Sequence, residues 1–155
     1  MTGTKSGENR VAIEFVRLDP RAAAPEKMTD GAAGYDLRAC LASPLDLAAG
    51  GRALVPTGLS LAIPAGFEGQ IRPRSGLALK HGLTVLNAPG TIDSDYRGPL
   101  GILLVNLGES ACRIEHGDRI AQIVIAPVVR ADFLERTTIG TTERGPGGFG
   151  HTGRS

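Results

Sequence analysis

The chain lacks an excess of either charge: 17 Lys and Arg stand against 16 Asp and Glu, a net charge of +1 over 155 residues. With no block of like charge, general attraction to nucleic acid or to an anionic membrane is not expected. Any anionic ligand must therefore be held by a few placed cations. Long hydrophobic runs are missing as well. "IAQIVIAPVV" is too short to span a bilayer, and "MTGTKSGENR" at the start lacks the apolar core of a signal peptide. Cysteine is scarce: Cys40 and Cys112 form neither a CxxC pair nor a zinc spacing, and read as two small buried hydrophobes in a reducing compartment. His81, His116 and His151 are scattered without metal-ligand spacing, and no Ser-His-Asp or Cys-His arrangement is evident. These absences describe a soluble, cytoplasmic protein with no membrane or nucleic-acid partner.

Helical periodicity is also missing, since no amphipathic window reaches the roughly ten to twelve residues of a solid helix. What is present is glycine and proline, 22 and 10 of them, spread as punctuation along one domain-sized chain. Between them lie short apolar runs such as "VAIEFVRL", "YDLRACL", "ALVPTGLSLAI", "FEGQIRP", "LTVLN" and "LGILLVNLG". Val11, Ile13 and Phe15 alternate with Ala12 and Glu14, as in a half-buried strand. Ile102 to Val105 are continuous, as in a fully buried one. The one helical candidate is "SGLALKHG", with Ser75 as N-cap and Gly82 as stop. The fold class expected is all-β, a sandwich or barrel with one short helix. Residues 1–10 read as a flexible polar N-terminus, 11–135 as the β domain and 136–155 as a glycine-rich arm that cannot fold alone.

Three stretches concentrate polar residues where a β protein needs only turns: "AAGYDLRA" (32–39), "RPRSGLALK" (72–80) and "NAPGTIDSDYRGPL" (87–100). In the second, Arg74, Ser75 and Gly76 enter a helix, where free N–H groups, a hydroxyl and a planar cation make a small anion site. A plain helix cap beside a surface arginine explains that segment equally well by itself. In the third, "NAPG" suits a tight turn from which "TIDSDYRG" returns as a hairpin. Such a hairpin offers unpaired backbone groups to a planar base, and a carboxylate at its end, Asp93 or Asp95, can take a proton from water. The terminal "RGPGGFGHTG" matches G-x-G-x-x-G through Gly145, Gly147 and Gly150, but no helix and no downstream acid can follow it, so the match is accidental.

Taken with "GDRIAQIVI" (117–125) and the terminal arm, these stretches resemble, in order and spacing, the five motifs of the trimeric deoxyuridine triphosphate nucleotidohydrolases, over residues 11–153. The resemblance implies a distorted jelly-roll β-barrel, a homotrimer with shared active sites, and dUTP as substrate. It implies Mg²⁺ carried mainly on the triphosphate, with no direct protein ligand and Asp36 reaching the metal through water. Arg74, Ser75 and Gly76 match the phosphate loop. Asn87 and the backbone through Gly90, Thr91 and Ile92 match the segment that reads uracil, and Tyr96 matches the ring that excludes a 2′-hydroxyl. Asp93, rather than Asp95, matches the carboxylate that activates water, and Gln122 a phosphate contact. Arg144, Phe149 and Gly150 match the arm that closes over a neighbouring subunit's site, the arginine on phosphate and the ring on uracil, with glycines allowing close approach.

The reaction implied is hydrolysis of dUTP to dUMP and pyrophosphate by attack at the α-phosphorus, which asks mostly for positioning and charge stabilisation. It would limit uracil in DNA and supply dUMP for thymidylate synthesis. Two positions are distinctive: His151 stands where many relatives have Ser, and Glu143 places a negative charge beside Arg144. A deoxycytidine triphosphate deaminase on the same barrel is the nearest rival, but it needs a glutamate near the base, and Asn87 to Leu100 contain none. A nucleotide-binding protein without turnover, or a purely structural β protein, leaves Asp93 or the arm without a use.

Overall fold

The computed structural model describes residues 10–148. Among these residues the chain forms eleven short strands and one helix, in accord with the all-β expectation. The strands are β1 (Glu14–Arg17), β2 (Tyr35–Arg38), β3 (Leu45–Leu47), β4 (Arg52–Pro56), β5 (Leu59–Ala62), β6 (Phe67–Arg72), β7 (Leu83–Val85), β8 (Gly90–Ile92), β9 (Gly101–Asn106), β10 (Cys112–Ile114) and β11 (Arg119–Pro127). The helix α1 (Ser75–His81) lies between β6 and β7. All pairings are antiparallel. The largest sheet has the order β2-β11-β6-β8, a second runs β4-β9-β7, and β1-β5 and β10-β3 are two-stranded. Together they form a distorted jelly-roll barrel.

The core follows from the apolar runs. Leu37, Leu59, Ile63, Ile102, Leu104 and Ile114 are fully buried, each worth about 1.5–3 kcal/mol against exposure. Of the continuous run expected to be fully buried, Ile102, Leu104 and Val105 are buried and Leu103 is half-buried. Two polar side chains, Thr57 and Asn106, are also fully buried. Asn106 donates to the carbonyls of Leu47 (2.9 Å) and Ser110 (2.8 Å), and its Oδ1 accepts from the Gly108 N–H (2.9 Å). Every polar atom of that amide is thus used, which makes its complete burial tolerable.

Four expectations need correction. Ser75 does not cap α1: the N–H groups of Leu77 and Ala78 both reach the Arg74 carbonyl, and Arg74 is the extended N-cap with φ −95°. Gly82 does end the helix, at φ 66°. The segment after Asn87 is not the return strand of a hairpin with β7. β7 pairs with β9 while β8 pairs with β6, so the chain changes sheets between them. β8 packs closely there: a Cβ on Gly90 would come within 3.3 Å of the Ile71 Cβ across the β6–β8 pair. Phe15, expected inside, is 39% exposed, because β1 pairs only with β5 at the barrel's margin. Cys40 is buried as expected, but Cys112 is only half-buried on the short strand β10; both thiols are free. Burial raises the pKa of each. No helix among the described residues is long and apolar enough to cross a membrane.

Candidate active site

β11 organises the first half of the site. Gln122 is in register with Asp36 of β2 on one side and Arg72 of β6 on the other. These pairings gather, at one end of the sheet, residues that the sequence scatters over three motifs. Asp36 is buried, and both of its oxygens face arginines: Arg74 Nε lies 3.2 Å from Oδ1 and Arg119 Nη1 donates to Oδ2 at 3.0 Å. Arg74 Nη1 also donates to the Arg119 carbonyl at 3.1 Å. The Arg74 guanidinium is thereby fixed along two directions, and part of its side-chain entropy is lost before any ligand arrives. One carboxylate against two guanidinium groups leaves the cluster with one positive charge, which suits an anion.

Beside this cluster lies a cavity of about 240 Å³ lined by Gly34, Asp36, Arg74, Ser75, Gly76 and Gln122, with Met28 and Ala32 at its edge. The Gln122 amide nitrogen donates to the Pro73 carbonyl at 3.0 Å and so tethers the residue just before Arg74. No protein atom lies near the place a Cβ on Gly76 would occupy. Five of the residues singled out from the sequence therefore come together in one pocket: Asp36, Arg74, Ser75, Gly76 and Gln122. Among the described residues no three His, Cys, Asp or Glu side chains cluster as metal ligands. Asp36 is the one carboxylate in the pocket lining, a donor set that fits a ligand-borne cation contacted through water better than a directly chelated one.

The other candidates sit elsewhere. Asn87 and Thr91 are exposed and Gly90 is buried, with the Asn87 side-chain nitrogen 3.1 Å from where a Gly90 Cβ would be. Ile92 ends β8, and Asp93 and Asp95 follow it with both carboxylates exposed. The turn that carries them is tied at every step. The Tyr96 N–H bonds the Asp93 carbonyl (3.2 Å), and Arg97 Nη1 donates to the Ser94 (2.7 Å) and Tyr96 (2.8 Å) carbonyls. Ser60 Oγ donates to the Arg97 carbonyl at 2.7 Å. The Tyr96 hydroxyl donates to the Pro99 carbonyl at 3.0 Å, and its ring lies where a Cβ on Gly98 would be.

Arg144 is exposed and bonds within its own segment, Nε donating to the Gly147 carbonyl at 2.9 Å. From Val128 to Gly148 the described residues form no helix or strand, and Val129, Phe133 and Ile139 are 87%, 98% and 88% exposed. Phe149, Gly150 and His151 lie outside the described residues, as do residues 1–9 of the N-terminal segment.

Sequence reasoning missed Arg119, Arg97 and Ser60. "GDRIAQ" carries Arg119 in plain view, but only the β2–β11 register shows that it faces Asp36. Arg97 and Ser60 act through backbone carbonyls, which leave no residue pattern to find.

Comparison with known proteins agrees with this geometry. The family model described as dUTPase matches residues 21–153. The deoxyuridine 5′-triphosphate nucleotidohydrolase of Desulfotalea psychrophila is 56% identical over 145 residues, covering 91% of this chain and 97% of that protein. That of Roseobacter denitrificans is 61% identical over 130 residues, covering 83% and 86%. Among solved structures, the dUTPase of Staphylococcus bacteriophage 80alpha with dUPNHPP superposes with a TM-score of 0.84 at 28% identity, over 92% of this chain and 99% of that one. The barrel, the pocket on β11 and these relatives agree on one conclusion: the chain belongs to the dUTPase family.

Proposed function

We infer that this protein hydrolyses dUTP to dUMP and pyrophosphate, with Asp93 activating the water that attacks the α-phosphorus. The observation that carries the reading is the Arg74–Asp36–Arg119 cluster beside Gln122, a pre-fixed anion pocket built from the residues that match the family's phosphate motifs. Arg74 and the second N–H of the Gln122 amide meet phosphate oxygens there, with Ser75 and Gly76 lining the same wall. Asn87 and the backbone from Gly90 to Ile92 read uracil. Cytosine inverts that donor and acceptor pattern and strands buried groups at about 1–3 kcal/mol each. Tyr96, braced by Pro99 and Gly98, stands where a ribose hydroxyl would need room. Asp36 would face, through water, a Mg²⁺ ion carried by the substrate, which would supply charge neutralisation. Arg144 and Phe149 close the site, and Gly150 lets the backbone of the arm approach.

One chain does not complete this site. Asp93 follows Ile92, whose partner on β6 is Gly69, whereas Arg74 lies beyond Arg72 at the other end of that strand. At about 3.3 Å per residue the two are roughly 15–20 Å apart along the strand, farther than a triphosphate reaches. A homotrimer in which neighbours supply Asp93 and the arm resolves the separation and covers the exposed apolar residues beyond Pro127.

The test is to incubate the protein with Mg²⁺ and, separately, dUTP, dCTP, dTTP and UTP, with Asp93→Asn alongside. Pyrophosphate and dUMP from dUTP alone, reduced at least a hundredfold in the variant, is the expected result. Ammonia from dCTP would move the protein to deaminase chemistry, and dUTP binding without turnover would make it a binding protein.

A further inference from the structure

We propose that Gly34 is a positioning residue for phosphate binding: its missing side chain is the seat that holds the Gln122 amide against the phosphate loop. The inference rests on the reading of the pocket given above. Gly34 does not owe its identity to backbone conformation, because its φ is not in the left-handed region. Its surroundings impose the choice. A Cβ built there would collide with Gln122 Oε1 and lie 3.1 Å from Gln122 Cδ and 3.3 Å from Gln122 Cβ. All three neighbours belong to that one side chain.

The consequence is specific to function. Gln122 is half-buried, and its amide nitrogen carries two N–H groups. One is used by the Pro73 carbonyl at 3.0 Å, immediately before Arg74. The other is left for the cavity that Gly34 and Gln122 both line. A methyl group at residue 34 displaces the amide end, so a single change disturbs both the donor and the tether that positions Arg74. The two nearest atoms, Oε1 and Cδ, are the far end of a flexible side chain and can move aside, while Gln122 Cβ at 3.3 Å asks the backbone to give by only a few tenths of an ångström. Pocket function and fold stability are therefore separable at this position.

The experiment is a double-mutant cycle with Gly34→Ala and Gln122→Ala, measuring kcat, KM for dUTP and thermal melting in the full-length protein. Wild-type turnover of dUTP is the control: if it is absent, the functional reading of the pocket fails, and the Gly34 proposal is then judged by the Kd for dUTP across the same cycle, where unchanged binding in Gly34→Ala overturns it. Gly34→Ala is expected to lower kcat/KM 10- to 100-fold while melting as wild type, Gln122→Ala to do the same, and the double variant to be no worse than Gln122→Ala. Equal losses from Gly34→Ala in both backgrounds, or wild-type activity in the single variant, overturn the proposal. Should Gly34→Ala fail to fold, recovery of folding in the double variant supports the collision with Gln122. Failure of both to fold shows that Gly34 faces something else and overturns it.

Discussion

Arg74 in the pocket and Arg144 on the arm are the two cations that the proposed mechanism places on phosphate, and the molecule holds them in opposite ways. Arg74 has a quarter of its side chain exposed, an acidic partner at 3.2 Å and a carbonyl acceptor at 3.1 Å. Arg144 is exposed and satisfies itself on Gly147, within its own glycine-rich segment. The first is organised by β2 and β11 before substrate binds, so little reorganisation is needed during reaction. The second must exchange a local hydrogen bond for a ligand and order its backbone at about 1–2 kcal/mol per residue. In the proposed mechanism the pre-set grip recognises phosphate, and the free one closes once the nucleotide is there. Their replacements should therefore fail differently.

The largest effect is expected at the free cation. Arg144→Ala removes charge applied only in the closed state, and a cation supplied this way to phosphoryl transfer is worth about 10³–10⁵ in rate. Steady-state kinetics should show a kcat loss of at least about a thousandfold, with melting unchanged because Arg144 is exposed and its side chain bonds to Gly147 within its own segment. A loss confined to KM would mean that Arg144 binds ground state and transition state alike, and the distinction between the two arginines would fall.

Asp36→Asn tests the pre-set cation. The two guanidinium groups lose the charge between them and repel across the gap. Because their side chains are 26% and 36% exposed, water offsets part of the cost. We expect a loss of about 1–2 kcal/mol in denaturant unfolding and about a hundredfold in kcat/KM as Arg74 leaves its alignment. Here stability and activity fall together, unlike at Arg144. Unchanged stability would show that Arg119 and the Pro73 tether suffice to hold Arg74.

The contrast also explains what the sequence could reveal. Strand content, the mostly buried run from Ile102 to Val105 and the end of α1 at Gly82 are local properties, legible from alternation and glycine chemistry. Arg74 was legible as a candidate because a guanidinium at a helix entrance suits an anion, whereas Asp36 and Gln122 were legible only through the resemblance to the family's motifs. Their convergence was not, since it depends on the β2–β11–β6 register, with partners dozens of residues apart. The same limit explains the hairpin that does not form after Val85: turn chemistry at "NAPG" permits it, but β7 pairs with β9 and β8 with β6, partners that lie far off in the sequence. Ser75 was misplaced by one position because cap preference favours a hydroxyl, while the Arg74 side chain is committed to Asp36. Arg119 escaped notice because its role depends on a carboxylate found 83 residues away.

A mixed assembly gives the smallest expected departure from wild type and bears on whether the two halves of the site come from one chain. Arg74→Ala disables the pocket end of β6 and Asp93→Asn the far end; each variant alone should be nearly inactive. If Asp93 of one chain serves the pocket of its neighbour, a site is intact wherever an Asp93→Asn chain supplies the pocket and an Arg74→Ala chain supplies the carboxylate. In every trimer that contains both chains, one of the three sites is then in working order, so the doubly tagged species should show about a third of wild-type activity. Co-expression with differently tagged chains, purification of the doubly tagged species and a dUTP turnover assay would measure it. Were both groups to act within a single chain, every site in the mixture would carry one lesion or the other, and no recovery would appear at any mixing ratio. The β6 register, which separates the two residues by most of the strand, predicts recovery.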